Sequence, residues 1–180
     1  MKIALTDLKD YNESILRYEW VDLEKCSTAS EISDFISGFL GKRSKETSEL
    51  HEEWFVTDYE EFVNLGEYPS LEKIEKAVKL SKQYDWESVA AYYGMNGSLD
   101  DFEDAYNGIF DSEEDFAYSI AHDIYSKEDL GQLEIYIDWE KYARDLFIND
   151  YFRCDLRDGK VVVFRRVKVY FYLLYFFIFY

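Results

Sequence analysis

Residues Thr28–Gly41 read TASEISDFISGFLG. Thr28 and Glu31 form a T-x-x-E capping box, in which hydroxyl and carboxylate each satisfy a backbone N–H left open at a helix start. Ile32, Phe35, Ile36, Phe39 and Leu40 then recur at the spacing of one helical face, and Gly41 is expected to end the run. Such a stripe needs an apolar surface to cover. The flanking segments KIALTDL from Lys2, RYEWVDL from Arg17 and EWFVTDY from Glu53 alternate apolar with polar residues, as half-buried strands do. A helix on a small sheet is therefore predicted for residues 1–65, an α/β module.

After GEYPS the periodicity becomes helical. Leu71, Ile74 and Val78 share one run, DWESVAAYY is capped by Asp85, and LDDFEDAY is expected to form a third short helix capped by Ser98. Gly94, Gly97 and Gly108 fall where these helices would stop. Residues 66–108 thus read as a small helical bundle that buries rings and exposes acids. Ser112 and Asp115 form another capping-box pattern, opening a helix with Phe116, Ile120 and Ile124 on one face. DWEKYARDLF follows as a second helix, and YFRCDL, a turn at Asp158 and Gly159, and KVVVFRRV make a hairpin over the rest of 109–167. The predicted fold class is α+β, a chain of three small domains: α/β, short-helix bundle, and α/β with a C-terminal hairpin.

The 180 residues carry 38 acids against 20 bases, a net charge of -18. That excess repels nucleic acid and anionic membranes and steers the chain toward cationic surfaces. It is also uneven. Residues 61–126 hold 15 acids and 4 bases, whereas 159–180 hold 4 bases and no acid. Between Gln83 and Ser126 lie eleven acids and no Lys or Arg: Asp85, Glu87, Asp100, Asp101, Glu103, Asp104, Asp111, Glu113, Glu114, Asp115 and Asp123. None has a basic neighbour nearby in sequence. Asp58, Glu60, Glu61, Glu67, Glu72, Glu75, Glu128 and Asp129 extend the acidic surface on either side.

Familiar chemistries find no support. Cys26 and Cys154 are far apart without a CxxC spacing or a His cluster beside them, which argues against a disulfide framework or a zinc site and fits reduced thiols in a cytoplasm. His51 and His122 stand isolated in the sequence. Neither DDFEDAYNG nor DLRDGK supplies the ligand spacing of a calcium loop, and no glycine-rich phosphate loop or G-x-S-x-G elbow occurs. No cofactor or metal is expected. Carboxylate pairs could serve a glycosidase, but with 38 acids such pairs arise by chance, and helices this small offer little cleft. Arg144 beside Asp145 reads as a structural ion pair. The N-terminus lacks the unbroken apolar core of a signal peptide. VYFYLLYFFIFY, Val169–Tyr180, is too short to span a bilayer, which takes roughly 18 to 20 residues. This tail, 168–180, is expected to be a covered strand or a non-native extension; the alternative is an interfacial anchor beside Arg165, Arg166 and Lys168.

The acids themselves are left to explain. Singly, each is an ordinary solvated surface group; together they lack the interspersed cations of ordinary surfaces. Helix positions three or four apart lie about 5 to 6 Å from one another, near the spacing of phosphates along a strand. Duplex DNA carries about one charge per 1.7 Å of axis, so the 22 net charges of residues 1–158 correspond to roughly 11 base pairs. A rigid acidic fold of that kind would present itself to a DNA-binding groove in place of DNA.

Two segments carry a family resemblance. LKDYNESILRYEWVDL, with Tyr11, Asn12, Glu13 and Trp20, is similar to the opening of the ArdA antirestriction family, L-x-x-Y-N-E-G-x-L-x-G-x-W-x-D-L. YIDWEKYARDL, with Tyr136, Ile137, Asp138, Tyr142, Arg144, Asp145 and Leu146, resembles that family's Y-I-D-Y-E-A-Y-G-R-D-L, with Ala143 where Gly is usual. The resemblance spans about residues 1–165. It implies a cytoplasmic, dimeric protein of mobile elements, built as a curved chain of three small domains. Such a protein imitates bent B-form DNA, blocks the DNA groove of type I restriction-modification enzymes and catalyses nothing. The acidic surface is assigned here from local charge, because the family's mimic surface is a distribution of acids and not a motif. Two other readings compete: an acidic module that binds a basic DNA-associated protein without displacing DNA, and a carboxylate hydrolase. Binding to nucleic acid itself is not expected, and membrane association is disfavoured.

Overall fold

The structure, a computed structural model, describes residues 1–166. They fall into two compact units, Met1–Asp100 and the residues from Asp101 onward. The expected helical module 66–108 is divided between them.

In the first unit, β1 (Lys2–Asp7) is the central strand of a three-stranded antiparallel sheet, flanked by β2 (Tyr18–Asp22) and β3 (Trp54–Glu60). Five consecutive residues of β1, Ile3 to Asp7, are buried, as befits a strand with neighbours on both edges. The register pairs Ala4 with Trp20 and Thr6 with Tyr18 on one side. Against β3 a bulge between Ala4 and Leu5 pairs Ala4 with Asp58 and Thr6 with Phe55. A five-residue helix, α1 (Leu8–Asn12), follows β1 directly, its N-cap being Asp7.

Helix α2 (Ala29–Thr47) has the reciprocal Thr28–Glu31 box at its start and buries Ile32, Ile36, Phe39 and Leu40. It does not end at Gly41. Another turn and a half continues to Thr47, and Ser48 supplies the left-handed C-cap at φ 58°. The glycine costs about 1 kcal/mol relative to alanine. That cost is offset by Arg43, which is tied to Asp10 at 2.7 Å. The expectation of a stop at Gly41 failed because this tertiary anchor leaves no local mark.

Helices α3 (Leu71–Tyr84) and α4 (Trp86–Gly94) complete the first unit. Ser70 caps α3, and Asp85, at φ 75°, separates the two helices while capping α4 through the Ser88 N–H. Glu75 on α3 accepts a 2.7 Å hydrogen bond from the Ala29 N–H, fixing α3 against the start of α2.

In the second unit a single helical turn, α5 (Phe102–Ala105), leads into β4 (Tyr106–Phe110). This corrects the third helix expected over LDDFEDAY. The Ser98 hydroxyl accepts from the Asp100 N–H in a turn and caps no helix. Tyr106 onward pairs with β6 instead, because an apolar central strand needs hydrogen-bonding partners on both edges. Gly108, expected to stop a helix, sits at φ 113° where the strand register shifts, a conformation few other residues adopt.

Helix α6 (Glu113–Ile124) starts from Ser112, whose hydroxyl accepts from the Asp115 N–H and donates to the Asp115 carboxylate. The one-turn α7 (Lys127–Leu130) and a 3-10 segment, Gly131–Tyr136, connect to α8 (Trp139–Asn149), capped by Asp138. β5 (Tyr151–Asp155) and β6 (Val161–Arg165) form the expected hairpin around Gly159, and β6 is central in the order β4-β6-β5. Val161 and Val163 pack on Phe116, with Ile120, Leu146 and Phe147 beside them. Val162 and Phe164 face the other way, and Phe164 meets Phe102 and Phe152 at 5.9 and 5.3 Å between ring centres. Ile124 shares no part of the core, being 61% exposed. The aromatic tail 168–180 lies outside the described residues.

Candidate functional site

The predicted acids are distributed over both units. In the first, Asp58 and Glu60 stand on β3, Glu61 and Glu67 in the loop after it, Glu72 and Glu75 on α3, Asp85 and Glu87 at the start of α4, and Asp100 at the unit's edge. In the second, Asp101 precedes α5 and Glu103 and Asp104 lie on it, Asp111 follows β4, Glu113, Glu114 and Asp115 open α6, Asp123 closes it, and Glu128 and Asp129 belong to α7. Fifteen of these nineteen are exposed; Glu75, Asp85, Glu87 and Glu113 are partly buried.

Though the acids between Gln83 and Ser126 have no basic neighbours in sequence, the fold brings distant cations to Asp100 and Glu113. Lys76, 24 residues earlier, pairs with Asp100. Arg153 reaches back 40 residues to Glu113 at 2.5 Å and also contacts Asp155. Outside that run, Lys2 pairs with Glu60 at 2.7 Å. The Asp100 carboxyl is accordingly held below its ordinary range by the Lys76 ammonium, and the Arg153 guanidinium is pushed up by Glu113. Other acids serve their helices: Asp85 accepts from the Ser88 N–H and hydroxyl, and Asp129 accepts from the Ser126 N–H and hydroxyl, which lowers its pKa. Among the described residues Asp101, Asp104, Asp111, Glu114 and Asp123 form no ion pair.

In the second unit five acids share one cleft. An open cleft of about 360 Å³ is lined by Asp111, Glu113, Glu114, Glu140 and Asp155, with Arg153 the cation among them. Three of these come from the end of β4 and the first turn of α6. The helix N-terminus there favours their negative charge, so local backbone electrostatics holds together what self-repulsion would scatter.

The two motif segments lie in different units. Tyr11 and Asn12 end α1, Glu13 is its C-cap, and Trp20 is on β2. Tyr136, 78% exposed, ends the 3-10 segment, and Ile137 follows it. Asp138 caps α8 by accepting from the Lys141 N–H at 3.0 Å; Tyr142, Arg144, Asp145 and Leu146 lie on α8. Leu146 packs against the core, while Arg144 and Asp145 are exposed and form no ion pair among the described residues, contrary to expectation.

One cluster gave no signal in the sequence. Asp7, Asp10 and His51 are buried with their ligand atoms within 4.8 Å of one another, a grouping with the residue types of a metal site. Its lone pairs are already used. Asp7 accepts from the Lys9 and Asp10 N–H groups and meets His51 Nδ1 at 2.6 Å. Asp10 receives Arg43 on both oxygens, at 2.7 and 3.0 Å, so a guanidinium stands where an ion would. His51 Nε2 contacts the Thr47 hydroxyl at 3.1 Å. The cluster locks α1 against the end of α2. His122 is likewise not isolated in space: it stacks on Tyr118 at 4.1 Å and faces Glu134 at 3.3 Å.

Among the described residues no helix is long and apolar enough to cross a membrane. Comparison with the curated proteins and with the solved structures finds no match to the chain. The family model described as Antirestriction protein (ArdA) matches residues 3–156, which takes in both motif segments and all nineteen predicted acids. The chain belongs to the ArdA antirestriction family.

Proposed function

We propose that this antirestriction protein acts as a mimic of B-form DNA, binding stoichiometrically in the DNA groove of a type I restriction-modification enzyme and excluding the duplex. The observation that carries the reading is the set of exposed carboxylates that form no ion pair among the described residues, Asp101, Asp104, Asp111, Glu114 and Asp123, in a chain of net charge -18. A groove built for phosphates gains attraction from such a surface without any base contact. The inhibitor would therefore act whatever sequence the enzyme recognises. In this reading the chain is a cytoplasmic homodimer carried on mobile elements, has no cofactor and performs no reaction.

Titration of the protein against a type I methyltransferase holding a labelled duplex tests the proposal. Displacement at a near-equimolar ratio is expected, weakening as salt rises because charge attraction is screened. A stable ternary complex of enzyme, duplex and protein would instead identify an acidic module that binds without displacing DNA.

A further inference from the structure

The sheet of the first unit has two unlike faces. Ile3, Leu5 and Asp7 are buried on one of them, where Asp7 meets His51 beside Thr47 at the end of α2. The register places Ala4, Thr6, Tyr18, Trp20 and Phe55 on the opposite face, since directly opposed residues of antiparallel strands share a side. Thr6 and Thr57 join hydroxyls there at 2.9 Å.

This second face is aromatic. Tyr18 and Trp20 meet edge to face at 6.4 Å. Phe55 contacts Tyr11 from α1 at 5.1 Å and stacks on Tyr68 at 6.0 Å. Phe55 is buried beneath them, yet Tyr11, Tyr18 and Tyr68 are 52%, 52% and 66% exposed. Three rings held by their neighbours and open on the outer side resemble the anchors of protein interfaces, where Tyr and Trp are enriched because little entropy is lost on ordering them. The ionic groups of the same face are Asp22, Asp58 and Glu60 with Lys2; Lys2 pairs with Glu60, Lys25 reaches Asp22, and Asp58 is exposed and accepts from the Tyr59 N–H.

We propose that this face is a second contact surface for the restriction enzyme, taking arginine side chains of the protein. The inference rests on the DNA-groove reading for the identity of the partner. Charge complementarity selects the occupant: a chain of net charge -18 repels nucleic acid and attracts a cationic protein, and the open ring faces suit a guanidinium plane. Asp58 supplies a carboxylate within the same surface. Contacts of this kind are short-ranged and weakly screened, whereas those of the exposed acids fade with salt.

The test is inhibition of a type I methyltransferase by the triple variant Tyr11→Ser, Tyr18→Ser, Tyr68→Ser, which keeps every carboxylate. Its inhibition constant should rise about tenfold or more, by the same factor at low and high salt, each open ring contributing roughly two- to fivefold. Tyr18→Ser alone, whose ring packs on Trp20 and not on Phe55, gives the same constant-factor loss on a smaller scale and decides the matter if the triple variant fails to fold. Ring variants that inhibit as well as a potent wild-type chain overturn the assignment and leave the DNA-groove reading standing. A wild-type chain that displaces no duplex overturns both.

Discussion

Replacing Arg43 by Met should destabilise the first unit severely. The Asp10 side chain is 1% exposed, and the two Arg43 hydrogen bonds at 2.7 and 3.0 Å neutralise it. Removing one partner of a buried pair leaves an uncompensated charge, at a cost of about 3 to 5 kcal/mol. Arg17 lies 3.7 Å from Asp10 Oδ2 and, being 40% exposed, is free to move closer. That places the expected loss near the lower bound, about 3 kcal/mol, or a fall of roughly 12 to 24 °C in Tm for a unit of this size. The double variant Asp10→Asn, Arg43→Met removes the orphaned charge and should recover at least about half of the loss. Urea unfolding followed by tryptophan fluorescence is the assay, since Trp20, Trp54 and Trp86 all lie in the first unit. A loss under about 1 kcal/mol, or a double variant no more stable than Arg43→Met, would refute the account of Arg43 as the counter-charge that holds α1 and α2 together.

Neutralising Asp101, Asp104, Asp111 and Glu114 to their amides should weaken inhibition stepwise and flatten its dependence on salt. Amides at the ion-paired Asp100 and Glu113 should do less; equal effects in competition titrations would contradict the distinction drawn between paired and unpaired acids. At the start of α2, the N–H groups of Thr28 and Ser27 hold the Glu31 carboxyl below its ordinary value of 4.5. Its folded-state pKa being the lower one, its contribution is present above about pH 4.5 and lost as pH falls through the depressed value. Urea melts of Glu31→Gln and wild type should therefore differ at pH 6 and converge toward pH 3. Gly108→Ala forces a side chain to φ 113° and within 3.3 Å of the Phe110 ring. A loss of about 1 to 3 kcal/mol is expected in the second unit alone, read from Trp139 fluorescence.

The elements written in local chemistry were legible: the Thr28–Glu31 box, the Asp85 and Ser112 caps, and the hairpin turn at Gly159 all occur as read. Those set by distant partners were not. Tyr106–Phe110 carries strand residues, but its acidic prefix favours a helix, and only β6, more than fifty residues on, settles it as a strand. The extension of α2 past Gly41 depends on Asp10, 33 residues back, and the Asp7–His51 contact spans 44. Likewise the cationless run appears unbroken until folding brings Lys76 to Asp100 and Arg153 to Glu113. Charge counting along a chain measures neighbours in sequence, while Coulomb's law acts on neighbours in space.

The two sheets differ in when their middle strand is synthesised. In the first it is β1, and all three strands have been made by Glu60; in the second it is β6, so β4 and β5 wait for residues 161–165 before either has a ladder. At about 5 to 20 residues per second, the roughly 65 residues from Asp101 to Arg165 take about 3 to 13 s to emerge. During that interval a finished N-terminal half coexists with a nascent, half-translated one whose rings have no seat. Chain termination anywhere between Asp100 and Val161 would thus release a folded first half trailing a sticky, protease-sensitive remnant, and not a shortened version of the whole.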